Sequence, residues 1–207
     1  QHYWDEGWAF YVGSTQDVDS TSTGSLVYYL AEKRCENYAT CASGTSGLAT
    51  VNENVLTYVN AGLTALADCD TSAAGAATAT TKLDSIKAQM RVPLIQGMLR
   101  YAYKTSLSMG ASADDIAEGW AFAYAILPQI DSCSTTASAT ILANMHPNLA
   151  SPMPDGFDAV LSAVEATFTC LGITCADVGT GLVDSYSSTG TSTWLFELCD
   201  DSVSAGS

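Results

Sequence analysis

Two segments of the chain share the run Glu-Gly-Trp-Ala-Phe. Asp5-Glu6-Gly7-Trp8-Ala9-Phe10-Tyr11 returns 112 residues later as Ala117-Glu118-Gly119-Trp120-Ala121-Phe122-Ala123. On a helix Glu6, Ala9, Phe10 and Gly13 share one face, as do Glu118, Ala121, Phe122 and Ala125, because positions three, four and seven apart line up. This small and aromatic face is expected to pack inward, with a carboxylate at its end. Burying an unpaired carboxylate costs on the order of several kcal/mol. A cation, a basic side chain or a proton must then meet each glutamate. Two readings follow. Either both glutamates hold a hard metal ion in one shared site, or they are structural partners of Arg91 or Arg100, a tryptophan N–H or the backbone.

The neighbours of the two glutamates favour metal. His2, Asp5 and Glu6 lie at i, i+3 and i+4, so a helical N-terminus puts all three on one side. Asp114, Asp115 and Glu118 form a comparable group in the second segment. Tyr101 and Tyr103 stand between the segments, and phenolate oxygen is a hard donor suited to ferric iron. The candidate ligands are therefore Glu6, Glu118, His2, Asp5, Asp115, Tyr101 and Tyr103, for Fe(III) or another, divalent metal. Each has a plainer role. Asp114 and Asp115 suit a first helical turn through the macrodipole alone, the tyrosines suit a core edge, and His2 suits solvent. The sequence has no H-E-x-x-H, no E-x-x-H of the di-iron bundles, no G-x-S-x-G and no Walker loop. His146 precedes Pro147, at a helix end or turn, a poor seat for a core ligand.

The elements that must position these groups read as helices. Segment 25–38 has apolar and aromatic residues near helical spacing. Segment 51–67 places Val51, Val55, Tyr58, Val59, Leu63 and Leu66 on one face. Segment 82–106 reads as a long helix burying Ile86, Met90, Leu94, Met98 and Tyr101, with Pro93 expected to kink it or end its first half. Ser112 and Asp115 make a capping-box-like start for a helix to about Ile126, with Pro128 as its stop. Segments 135–145 and 156–170 supply two more. Stretches 13–24, 41–47, 70–81 and 187–193, rich in Ser, Thr and Gly, read as loops. No period-two alternation argues for a sheet. Val55-Leu56-Thr57-Tyr58-Val59 and Cys69 are echoed by Val160-Leu161-Ser162-Ala163-Val164 and Cys175. The expected fold is all-α, a helical bundle of two pseudo-repeated halves in a single domain. Its parts are half-repeats at about 1–80 and 112–181, a connecting helix at 82–106 and a tail at 182–207.

With 47% apolar residues and a mean hydropathy of +0.14, the chain of 207 residues can bury a core. Charged residues are only 14%, and 22 Asp and Glu face 7 Lys and Arg, a net charge of −15. No Lys or Arg occurs from Thr105 onward. Such a chain repels phosphate backbones and anionic membranes. Its longest apolar run falls short of the roughly 18 residues of a spanning helix. Nucleic-acid binding and membrane insertion are both excluded.

Seven cysteines are too many for an ordinary cytosolic protein. Cys35 and Cys41 are close enough to close a small loop, and so are Cys170 and Cys175. Cys69, Cys133 and Cys199 remain, so one thiol is odd. Without a C-x-x-C, and with only His2 and His146 besides, zinc is the lesser reading. Disulfides imply an oxidising, extracytoplasmic compartment. The chain opens on Gln1-His2-Tyr3-Trp4 with no leader in view, so a leader removed beforehand, or a sequence that starts late, is expected.

Together the segments HYWDEGWAFYVGS, LAEKRC, QMRVPLIQGMLRYAYK, AEGWAFAYAILPQI and CLGITCADVG resemble the iron-assimilating, low-iron-inducible periplasmic proteins of green algae. That family is distantly similar to the phytotransferrin-type proteins of other algae. The matching blocks run from His2 to about Gly181. The resemblance implies a secreted, periplasmic or cell-surface iron-binding protein of high-affinity iron assimilation, not an enzyme. A membrane ferroxidase, permease or receptor would be its partner. The competing expectations are a structural surface module with no metal, and a metal-dependent hydrolase or oxidase.

Overall fold

Apolar side chains at helical spacing become helices nearly wherever the sequence places them. The computed structural model describes residues 2–16, 23–44, 46–67, 73–106, 112–179, 181–183 and 194–199. Its helices are α1 (His2–Val12), α2 (Val27–Tyr38), α3 (Thr50–Ala67), α4 (Ala73–Ser106), α5 (Ala113–Cys133), α6 (Thr135–Met145), α7 (Phe157–Glu165), α8 (Phe168–Leu171) and α9 (Cys175–Val178). Two short strands, β1 (Gly181–Val183) and β2 (Trp194–Glu197), pair antiparallel with Leu182 opposite Phe196. The fold is all-α. Contacts divide the chain into two compact units, Gln1–Pro93 and Leu94–Ser207, and the division falls inside α4.

In the first unit, α2 buries Tyr28, Ala31, Glu32, Cys35 and Tyr38, and α3 buries Val51, Val55 and Val59. Of the face expected on α3, Tyr58, Leu63 and Leu66 are only half-buried. In the second unit, α5 buries Gly119, Ala123, Ile126 and Ile130, and α7 buries Phe157, Val160 and Val164. Asn144 on α6 donates to Asp155 Oδ2 at 3.0 Å and accepts from the Asp155 N–H at 2.9 Å. That exchange ties the loop between α6 and α7. Gln96 Nε2 donates to the Val178 carbonyl at 2.9 Å, which holds α9 to α4.

Four expectations about the elements need correction. Segment 73–81 is not a loop but the first turns of α4. Alanine is the best helix former, and the hydroxyls of Thr80, Thr81 and Ser85 bond back to the carbonyls of Ala76, Ala77 and Thr81 at 3.0–3.1 Å. Pro93 does not end the first half of α4, one of its two expected effects. Pro128 does not stop α5 either, which runs on to Cys133. A proline inside a helix forfeits one backbone hydrogen bond. Burying Ile126 and Ile130 on either side of Pro128 offsets this with about 1.5–3 kcal/mol each. Segment 156–170 is two helices rather than one, broken where Thr167 Oγ1 donates to the Val164 carbonyl at 2.7 Å.

Three disulfides join described residues: Cys35–Cys41, Cys133–Cys170 and Cys175–Cys199. The first is the short loop read from spacing. The second short loop, Cys170 to Cys175, does not form. Gly172 turns the chain at φ 74° between them, leaving Cys170 exposed and Cys175 buried. Cys69 lies outside the described residues. No described helix is long and apolar enough to cross a membrane.

The disulfide loops set an expected order of stabilities. Cys133–Cys170 closes 37 residues and Cys35–Cys41 closes six. Loop entropy then assigns about 4 kcal/mol to the first and about 2 kcal/mol to the second. Urea unfolding of the Cys133→Ala/Cys170→Ala and Cys35→Ala/Cys41→Ala variants should show the larger loss in the former; the reverse order would refute loop closure as the source.

Candidate functional site

The repeated segment adopts helix in both places, in α1 and in α5, but its carboxylates do not point inward. Glu118 is exposed, and so are Ala121 and Ala125 beside it. Glu6 is exposed with Ala9, and Phe10 is 78% exposed. Each helix buries a neighbouring stripe instead. On α5 it is Gly119, Ala123, Ile126 and Ile130; on α1 Tyr11 and Val12 are buried, with Trp4 and Trp8 half-buried beside them. Two indoles and a phenol remove far more apolar area from water than Ala9, Phe10 and Gly13 would.

The other predicted ligands are placed as follows. His2 Nε2 lies 3.2 Å from Glu6 Oε1 on the open side of α1, and Asp5 is exposed. Asp115 receives the ammonium of Lys104, with Ser112 Oγ donating to it at 2.9 Å. The Asp115 N–H returns a bond to Ser112 Oγ at 3.0 Å, so the cap expected there is present. The hydrogen bond from Lys104 leads the effects that hold the Asp115 carboxyl below its ordinary range. Tyr101 is buried and stacks on Phe122 with centroids 5.8 Å apart. Tyr103 meets Phe157 edge-on and Phe196 at a tilt of 44°, each with centroids 5.4 Å apart. His146 sits beside Trp120 at 4.9 Å and accepts from the Asn148 N–H at 3.2 Å. The structure thus brings together His2 with Glu6, and Asp115 with Lys104. Among the described residues no group of three or more His, Cys, Asp and Glu is arranged to hold a metal ion.

The buried carboxylate is a different one, Glu32. Sequence reasoning missed it; the signal that could have found it is its place in the α2 stripe Tyr28, Ala31, Glu32, Cys35 and Tyr38. Both its oxygens accept from the Ala49 N–H at 3.1 Å, and Oε1 also accepts from Asn52 Nδ2 at 2.5 Å. Asn52 Nδ2 donates also to the Tyr28 carbonyl at 3.0 Å, and its Oδ1 accepts from Tyr11 Oη at 2.5 Å. α1, α2 and α3 meet in this network. Burial, the largest effect, raises the Glu32 carboxyl above its ordinary range, while Asn52 and the Ala49 N–H pull it back. Burial also raises Tyr11, helped by Tyr28 and Glu32, so its phenol stays a donor.

Beside Tyr11 lies a cavity of about 260 Å³ within the first unit. Trp4, Trp8 and Tyr11 of α1 form one wall, with Val55 and Val59 of α3 and Ile86 and Met90 of α4 across from it. Trp4 Nε1 donates to the Val59 carbonyl at 2.9 Å. Gly62 makes that ring position possible, since a Cβ there would collide with the Trp4 indole. The sequence held a trace of this wall in the i, i+4, i+7 spacing of Trp4, Trp8 and Tyr11.

No family model, no curated protein and no solved structure matches the chain.

Glu32 gives a signed pH dependence. An acid whose folded-state pKa is raised favours folding most below its unfolded value of about 4.3. That contribution is lost as pH rises through the folded value. The stability of wild type relative to Glu32→Gln, from urea unfolding between pH 3 and 8, should therefore decline with pH and then level off. A difference growing with pH would mean the carboxylate is stabilised as an anion. Glu32→Leu strands the Ala49 N–H and Asn52 and should cost about 2–5 kcal/mol. Glu118→Gln, on the surface, should stay within about 0.5 kcal/mol.

Proposed function

We propose that this is an extracytoplasmic binding protein that takes part in iron assimilation at the cell surface. The observation that carries the reading is the imidazole–carboxylate pair of His2 and Glu6, 3.2 Å apart with Asp5 next in the chain. Imidazole nitrogen and carboxylate oxygen are ligands for iron and for divalent metals. An exposed pair takes an ion without the desolvation that a buried carboxylate demands. Water fills the rest of the shell, so the ion is held loosely and can pass to a membrane ferroxidase, permease or receptor. The net charge of −15 supports the reading by concentrating cations around the molecule. Three disulfides support the compartment, since such bonds persist where conditions are oxidising.

A structural surface module without metal is the second reading. Glu32 favours it, because this buried carboxylate gives its oxygens to Ala49 and Asn52.

Equilibrium dialysis against Fe(III) citrate separates the two. Wild type should retain iron, and His2→Ala/Glu6→Gln should lose at least tenfold in retention with an unchanged apo unfolding midpoint. Iron at about 100 times its Kd should add about 2.7 kcal/mol to wild-type stability. Retention equal in the variant would move the site off α1; no retention by wild type would leave the structural module.

A further inference from the structure

The cavity of the first unit has its polar edges turned to the protein. Trp4 gives its N–H to the Val59 carbonyl and Tyr11 gives its hydroxyl to Asn52. Both rings are thereby fixed in place with their hydrogen-bonding capacity already used, so no part of their position has to be found when a ligand arrives. Facing them are aliphatic groups, Val55, Val59 and Met90. One wall offers ring faces and the other offers methyl and methylene groups, a pairing suited to a flat apolar molecule.

Gly7 adds an independent observation. It lies in the middle of α1, where glycine weakens a helix relative to alanine. A Cβ at Gly7 would meet nothing within 4 Å, and Gly7 lines the cavity. Gly7 is exposed, so what it leaves open is the mouth of the cavity. Its counterpart in the repeated segment behaves otherwise. A Cβ at Gly119 would stand 3.0 Å from Tyr101 Cβ, and the space beside Gly119 is only about 10 Å³. One copy of the segment is packed shut, and the other is open.

Charge at the rim narrows the ligand further. Lys87 Nζ lies 3.3 Å from Asp84 Oδ1, so the ammonium at the mouth is balanced by its own neighbour. Among the described residues that line the cavity, Lys87 is the charged one, and its ammonium has this exposed partner. The volume, about 260 Å³, lies under the roughly 300–1,000 Å³ of sites for drug-sized molecules. It suits one fused ring system.

We propose that this cavity is a binding site for a small, neutral, planar aromatic molecule of about the size of indole. The inference does not depend on the iron reading, since it uses none of the metal-ligating side chains.

Calorimetric titration of the full chain with indole tests it, with tryptamine and indole-3-carboxylate as cationic and anionic forms of the same ring. Indole should bind with one-to-one stoichiometry, and each charged analogue at least tenfold more weakly. Gly7→Leu should weaken indole at least tenfold while the thermal unfolding midpoint holds or rises, because the side chain occupies the cavity and the helix gains a better former. Ile86→Phe, filling from α4, should act in the same direction and guards against a misfolded first variant. Absence of binding to wild type would overturn the proposal. So would equal binding by both filled variants, or charged analogues that bind as well as indole. A concentration-dependent dimer in sedimentation that both filled variants abolish would overturn it as well, by assigning the cavity to a second copy of the chain.

Discussion

The first unit is organised by the cost of taking the Glu32 carboxylate out of water. A buried carboxylate persists only where donors converge on it, and here those donors are the Ala49 N–H and Asn52. Ala49 immediately precedes α3 and Asn52 lies in its first turn, so satisfying Glu32 fixes where α3 begins relative to α2. Asn52 then has one acceptor left, and Tyr11 takes it. That bond sets α1 and with it the rings of Trp4 and Trp8. Each link leaves the next with one defined partner. The cavity wall is thus a consequence of a charge two helices away.

Much of the fold was legible because helical spacing is a local property. The α3 and α6 limits, the Ser112 cap and the Cys35–Cys41 loop all depend on residues a few positions apart. What escaped depends on burial, on a turn and on hydroxyl bonds that apolar spacing does not report. Pro128 reads as a stop unless Ile126 and Ile130 are known to be buried. Cys170 reads as the partner of Cys175 unless Gly172 is known to turn the chain. The alanine and threonine run before Lys82 reads as a loop unless the hydroxyls are seen to bond one turn back.

The candidate site was less legible than the fold, and the reason is a choice between adjacent stripes. Glu6, Ala9 and Phe10 form a plausible buried face, and Trp4, Trp8 and Tyr11 form another one step around the same helix. Spacing admits both. Buried area decides for the second, and this sends the carboxylates to the surface. The same logic hid Glu32, whose charge argues for solvent while its place between Tyr28 and Cys35 argues for the core. Burial won there because Asn52 and Ala49 stand within reach.

Glycine explains why one repeated phrase has two structural meanings. In the second unit Gly97 on α4 offers a seat for Phe122, since any Cβ there would collide with that ring. Phe122 is half-buried and stacks on Tyr101, which with Met145 closes the space beside Gly119. In the first unit the seat is Gly62, and it receives Trp4 instead. Phe10 has no such seat and stays 78% exposed. The copies differ at the ends of the phrase, Asp5 against Ala117 and Tyr11 against Ala123, and on the helices opposite it. A glycine under the phenylalanine seats Phe122 against Tyr101 in one copy, and a glycine under the tryptophan seats Trp4 in the other, where Gly7 stays exposed.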